Sequence, residues 1–163
     1  YNRSKQNNCK EVPALQFFEN LNLLKSAYSA CVKPVCRKFE LTQMEFDVLM
    51  FLANNPDYDT AADIVRLRKF TKSHVSAALK ALADRGLLET FYAEGNRKSI
   101  HLNLLPAAEG IISEGRTAQE RFGAALFDGF SESEFALTQI IFQRICSQAR
   151  GLIEEENANG TFA

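Results

Sequence analysis

The stretch TKSHVSAALKALADRGLL, residues 71–88, leaves the backbone few options. Val75, Ala78, Leu79 and Leu82 stand at i, i+3, i+4 and i+7, so they share one face of an α-helix and bury against whatever precedes it. Gly86 suits the left-handed position that ends a helix, and Leu87 and Leu88 can fold back over its last turn. The opposite side is left with Ser73, His74, Ser76, Ala77 and Lys80. Side chains this small let a helix backbone sit deep in a groove, where Lys72, Lys80 and the hydroxyls can reach phosphates and base edges. An ordinary surface helix would account for the same Ser and Ala, so the flanking segments have to decide.

Upstream, Leu15, Phe18, Leu21, Leu24 and Tyr28 recur near helical spacing and predict a helix over 13–33 that Pro34 ends or kinks. Thr42 and Glu45 form a capping box that opens a second helix with Phe46, Leu49, Met50 and Ala53 as its apolar stripe. The run NNPDYD breaks it. Thr60 and Asp63 then make a shorter version of the same start signal for a helix through about Arg68, with Ile64 and Leu67 inward. Two helices joined by a tight turn, the second polar and short-chained outside, fit a helix-turn-helix. Downstream, Ile100, Leu102 and Leu104 alternate with Ser99, His101 and Asn103, and Glu94, Gly95 and Asn96 supply turn chemistry. This is a hairpin with Arg97 and Lys98 at its tip. Since an isolated hairpin is marginal in water, it should pack on the helices as a wing, and an arginine there can enter a narrow minor groove.

Composition narrows the function classes. The chain has 163 residues, 46% hydrophobic and 24% charged, as expected of a single globular domain. No apolar run approaches the ~18 to 20 residues of a membrane span, and the N-terminal stretch is polar, so the expected location is cytoplasmic with no membrane partner. Net charge is only −1, but between Arg66 and His101 there are eight basic residues against three acidic, leaving eleven basic against seventeen acidic elsewhere. A segment with that local excess is what docking on phosphate requires. Cys9, Cys31, Cys36 and Cys146 follow no zinc spacing, and neither His74 nor His101 has a second candidate ligand nearby in sequence. With no phosphate loop, no metal cluster and no nucleophile beside a base, the chain reads as a non-enzyme without cofactor, metal or catalytic residues.

Taken in order, LTQMEFDVLMFLA, FTKSHVSAALKALADRGLLE and EGNRKSIHLNLLPAAEG resemble the MarR-type winged-helix transcriptional regulators, over about Pro13 to Arg150. The resemblance implies a mainly α fold: a winged helix-turn-helix lobe over 35–106 with a two-stranded wing, dimerisation helices over 13–33 and 107–150, and tails at 1–12 and 151–163. It makes 71–85 the recognition helix and implies DNA contacts from Thr71, Lys72, Ser73, His74, Ser76, Ala77, Lys80, Arg97 and Lys98. It implies a homodimer on a palindromic double-stranded DNA operator, acting more as repressor than activator. It also implies a small aromatic effector in a cleft that Phe17, Phe18, Tyr28, Phe39 and Phe46 would line. Helical apolar positions at Ile111, Ile112, Phe122, Ala125 and Leu126, and after the Ser131–Glu134 capping box at Phe135, Ile140, Ile141 and Ile145, agree with a buried pairing surface. In two places the sequence departs from the family's pattern. Asn96 stands where Asp usually precedes the wing arginine, and Arg68, Lys69 and Phe70 stand where the turn often has a small residue such as Gly. Two other functions fit parts of the pattern: a winged helix that binds proteins rather than DNA, and a thiol-based redox-sensing regulator.

Overall fold

The structure, a computed structural model, describes residues 14–93 and 96–158. Its elements run α1 (Ala14–Lys38), α2 (Gln43–Asn54), α3 (Ala61–Arg68), α4 (Lys72–Asp84), β1 (Leu88–Ala93), β2 (Asn96–Leu104), a 3-10 turn (Pro106–Ala108), α5 (Glu109–Leu126) and α6 (Glu132–Ala158). The expected mainly α winged helix-turn-helix is therefore present. Two compact units divide the chain, one up to Phe122 and one from Gly123.

The first unit is organised around α2. Its start is the expected capping box: the Glu45 N–H donates to Thr42 Oγ1 at 3.2 Å, and the Thr42 N–H donates to Glu45 Oε2 at 2.9 Å. Phe46, Val48, Leu49, Met50, Phe51 and Leu52 are all buried, so α2 is apolar on more sides than the single stripe expected, and Ala53 is only half-buried. A helix enclosed this way is a central helix.

α1 does not end at Pro34 but runs through it to Lys38. A proline inside a helix removes one hydrogen bond and costs about 3 kcal/mol. Val32, Val35 and Cys36 are buried in the core on either side of it, and full burial of a valine contributes about 1.5–3 kcal/mol. The two valines offset the loss, so tertiary packing overrides the local signal.

In α3, Ile64 is fully buried, whereas Leu67, expected inward, is 41% exposed. The eight-residue helix turns Ala61, Ile64 and Val65 to the core instead. The hairpin pairs Leu88 with Leu104, Thr90 with Leu102 and Tyr92 with Ile100, with a register shift at Tyr92/Ala93. The segment before α3 anchors it: the Leu102 N–H donates to the Asp59 carbonyl at 2.8 Å, and Thr60 bridges to His101. This extra edge pairing supplies the support that a lone hairpin lacks.

α5 closes the unit by crossing α2 at Gly115, where an added Cβ would collide with Met50 Sδ and crowd the Phe46 ring. Polar links flank the crossing, with Arg116 donating to the Ala53 carbonyl at 2.8 Å and Gln119 donating to the Tyr28 hydroxyl at 2.9 Å.

In the second unit, Gly129 takes φ +80° in the turn before α6, and Ser131 and Glu134 form the expected capping box. Phe127 packs edge-on against Phe135 at 4.8 Å between ring centres. α6 continues to Ala158, past Arg150, where a tail was expected to begin. No helix of the described residues is long and apolar enough to cross a membrane.

Two expectations about stability follow from this packing. Gly115→Ala should lower unfolding free energy by about 1–3 kcal/mol, the range of core overpacking, in a urea titration. Asp47 is pushed above the usual aspartate range by burial, against the opposing pull of the Gln43 amide at 3.0 Å and the Arg68 charge. A raised folded-state value means the native state prefers the protonated form, so stability falls as pH rises through the window above the ordinary aspartate value. Asp47→Asn should therefore melt higher than wild type at pH 7 and lose that advantage on acidification.

Candidate nucleic-acid interface

The helix-turn-helix pair is α3 and α4, and each begins on a threonine. The Asp63 N–H donates to Thr60 Oγ1 at 3.1 Å, and the Thr60 hydroxyl donates to Asp63 Oδ2 at 2.6 Å. That hydrogen bond, followed by one from Arg66, holds the Asp63 carboxyl below the usual aspartate range. At α4, Thr71 accepts from the His74 N–H at 3.4 Å and lies 3.3 Å from the Ser73 hydroxyl. The turn between the helices has no glycine, and the backbone pays for this at one residue: Lys69 sits at φ +55°, ψ 30°, in the left-handed region.

α4 divides as its spacing predicts. Val75, Ala78, Leu79 and Leu82 are buried, while Thr71, Lys72, Ser73, His74, Ser76, Ala77 and Lys80 are all exposed. The structure thus gathers seven of the nine expected DNA contacts on one surface of one helix and its cap. Arg97 and Lys98 fall within β2, but their side chains lie outside the described residues.

Between α3, α4 and the wing lies an open groove of about 720 Å³. Val65, Val75, Leu79 and Ile100 give it apolar walls, and Lys72 and Ser76 stand at its edge. Ile100, on the apolar side of the strand alternation, is 40% exposed here, because its strand pair with Tyr92 lies out along the wing beyond buried Leu102. Nearer the base of the wing, His101 Nδ1 lies 3.0 Å from Asp59 Oδ2, and the Phe91 ring stacks on the imidazole at 5.5 Å. His101 is thus a wing anchor that its polar place in the strand alternation did not reveal.

The basic residues of this surface are not equivalent. Lys80 is paired with Asp84 and Arg66 with Asp63 on their own helices, and Arg68 lies over the Phe70 ring. Lys72 and Lys69 make no ion pair among the described residues. Arg85, which contributed only to the charge excess in the sequence, donates to two main-chain carbonyls at the end of α1.

The five aromatics expected to line an effector cleft are not brought together. Phe46 is fully buried in the core, while Phe17 and Phe18 are exposed on α1. Along a helix rising ~1.5 Å per residue, Phe17 is about 16 Å from Tyr28. Tyr28 and Phe39 are half-buried, and Tyr28 packs edge-on to Phe122 at 5.5 Å. Of the thiols that a redox reading would use, Cys31 and Cys146 are half-buried and Cys36 is buried. Burial pushes the Cys36 thiol up, away from the reactive thiolate, and Cys9 lies outside the described residues. No cluster of metal-ligating side chains occurs among the described residues.

Two short helices with a polar outer face, backed by α2 and flanked by a two-stranded wing, define a winged helix-turn-helix. Residues 39–95 match the family model of the MarR family. That segment takes in α2, α3, α4 and β1, so the likeness to the MarR family lies in the helix-turn-helix and the first strand of the wing. In fold it is similar to the transcriptional regulator PA3341, at 23% identity and a TM-score of 0.74 over 83% of this chain and 98% of that one. It is similar also to a putative MarR family regulator from Listeria monocytogenes complexed with 26mer DNA, at 17% identity and a TM-score of 0.73 over 80% and 87%. A third neighbour is Bordetella bronchiseptica BpsR, whose DNA binding is regulated by 6-hydroxynicotinic acid, at 18% identity and a TM-score of 0.65 over 80% and 98%. No curated protein sequence matches the chain.

The left-handed lysine gives a direct test of the turn. Lys69→Gly should stabilise the protein by roughly 0.5–1 kcal/mol, since the ~1–2 kcal/mol left-handed penalty disappears while glycine's extra unfolded-state freedom offsets part of the gain. Lys69→Val should destabilise it, both read by thermal unfolding.

Proposed function

We propose that the chain is a homodimeric, sequence-specific duplex-DNA-binding regulator of transcription, acting as a repressor whose DNA affinity a small molecule modulates. The observation that carries this reading is the division of α4. Its apolar side is sealed against the unit, while residues 71–80 offer hydroxyls, an imidazole, a methyl group and lysines to the outside. Those groups match the donors, acceptors and thymine methyl of a major groove.

The location of the positive charge supports the same partner, since a chain that is acidic elsewhere concentrates its cations on this lobe. The DNA complex of the Listeria relative and the ligand-regulated DNA binding of BpsR support duplex DNA and an effector as partners.

Pairing is supported by apolar surface left uncovered. Phe17, Phe18, Leu23 and Leu24 of α1 are exposed, as are Leu137, Ile140, Ile141 and Phe142 of α6. A second copy is the partner that covers such faces symmetrically, and it sets two recognition helices on one palindromic site. Arg97 keeps its assignment to the minor groove, and Lys98 its place among the DNA contacts, on the family resemblance.

Binding to duplexes selected from a random pool tests this reading. Affinity should fall by more than about a hundredfold between 50 and 200 mM salt, and Arg97→Ala should weaken binding about tenfold with the melting temperature unchanged. A pool with no enrichment and a flat salt response would instead mark the lobe as a protein-interaction module.

A further inference from the structure

We infer that Arg85 is a positioning residue, a clamp that ties the orientation of α4 to the end of α1. The inference rests on the reading of α4 as the recognition helix. Arg85 is the C-cap residue of α4. Its two terminal nitrogens reach across 45 and 46 positions of sequence to donate to the Glu40 carbonyl at 3.1 Å and the Phe39 carbonyl at 2.7 Å.

Those carbonyls belong to the turn that terminates α1. There Glu40 adopts φ +52°, and the Leu41 N–H closes back on the Cys36 carbonyl at 2.8 Å. The guanidinium therefore acts as a C-terminal cap supplied by a different helix. Its charge also opposes the negative end of the α1 dipole. The planar fork meets the two carbonyls from two separate nitrogens held in a fixed geometry, whereas a lysine ammonium would have to reach both from one nitrogen on a flexible stem.

The lever arm makes this placement consequential. α4 has thirteen residues, and the groups facing outward for base contact stand near its N-terminal end, opposite the clamp. At ~1.5 Å per residue the helix is about 18 Å long, so a tilt of about 10° at the clamped end displaces the other by about 3 Å. A hydrogen bond to a base edge does not survive that displacement. Conversely, any rotation of α1 is delivered to α4 at its C-terminal end. α1 carries the exposed Phe17, Phe18, Leu23 and Leu24, so the clamp connects the surface proposed for pairing to the surface proposed for DNA.

The rival role for an exposed arginine beside a recognition helix is a phosphate contact, and the two roles differ in what they do to salt dependence. Losing a phosphate contact reduces the slope of log affinity against log salt by about 1, and a lysine restores most of it. Losing a clamp weakens binding at every salt concentration without changing the slope, and a lysine does not restore it.

The test uses the full chain with Arg85→Gln and Arg85→Lys. It measures affinity for the duplex best enriched by wild type from a random pool, affinity for a scrambled duplex of equal length, and amide hydrogen exchange without DNA. The clamp predicts that both variants lose about tenfold on the enriched duplex, keep the wild-type salt slope, and hold affinity for the scrambled duplex. It also predicts faster exchange in the last turns of α1 and α4 together, with α2 unchanged. Wild-type affinity in both variants, or a shallower slope in Arg85→Gln that Arg85→Lys repairs, would overturn it. So would unaltered exchange at either helix end. If wild type enriches no duplex, the DNA reading fails by itself, and the exchange result still decides the clamp.

Discussion

One packing contact sets the terms for the rest of this molecule: the seating of Val75, Ala78, Leu79 and Leu82 of α4 over the apolar wall of α2. These four side chains are among the least exposed in the chain, and three of them are valine or leucine, each worth about 1.5–3 kcal/mol when buried. No rotation of α4 about its axis keeps that burial, so the opposite face is presented outward by default. Ser73, His74, Ser76 and Ala77 are not held out by interactions of their own. They are the remainder after the core has taken its share, and the remainder is what a partner meets.

The polar contacts around the seat fix the angles that burial leaves free. Thr60 and Thr71 each satisfy one orphan N–H at the start of α3 and α4, Lys69 accepts a strained left-handed backbone to bring the helices together, and Asp59 holds the wing through Leu102 and His101. Arg85 fastens the far end of α4 to the close of α1. Each is worth little beside the core. Together they decide where a pre-formed surface points.

Some of this is legible in residues that lie close together in the sequence. The capping pairs Thr42–Glu45 and Ser131–Glu134 located two helix starts, because a cap is a contract between residues three apart and needs no distant partner. The apolar face of α4 was legible for the same reason. Pro34 marks an end or a kink by local rules, and α1 runs through it because the burial of Val32 and Val35 depends on segments far away in sequence. Leu67 is exposed because apolar identity does not say which face of a short helix the fold will cover, and Ile100 because a strand's alternation does not say how far along it the core extends. Phe46 looked like a candidate for a ligand cleft by its aromatic character, and its full burial assigns it to the core. Arg85 and His101 gave no local sign of their contacts, because the partners of each are about forty residues away.

The sequence by itself determined the number and type of the elements, the outward face of α4, the concentration of positive charge on the central lobe and the likeness to the MarR family. These follow from periodicity, caps and composition, which are interactions of short range or none. Only the tertiary structure decided that α1 passes its proline, that the wing is pinned through Asp59 and His101, that the turn rests on a left-handed lysine, and that an arginine counted as one more cation is occupied by two carbonyls. Those outcomes come from contacts between segments distant along the chain. They exist only once the core has brought the segments within hydrogen-bonding distance.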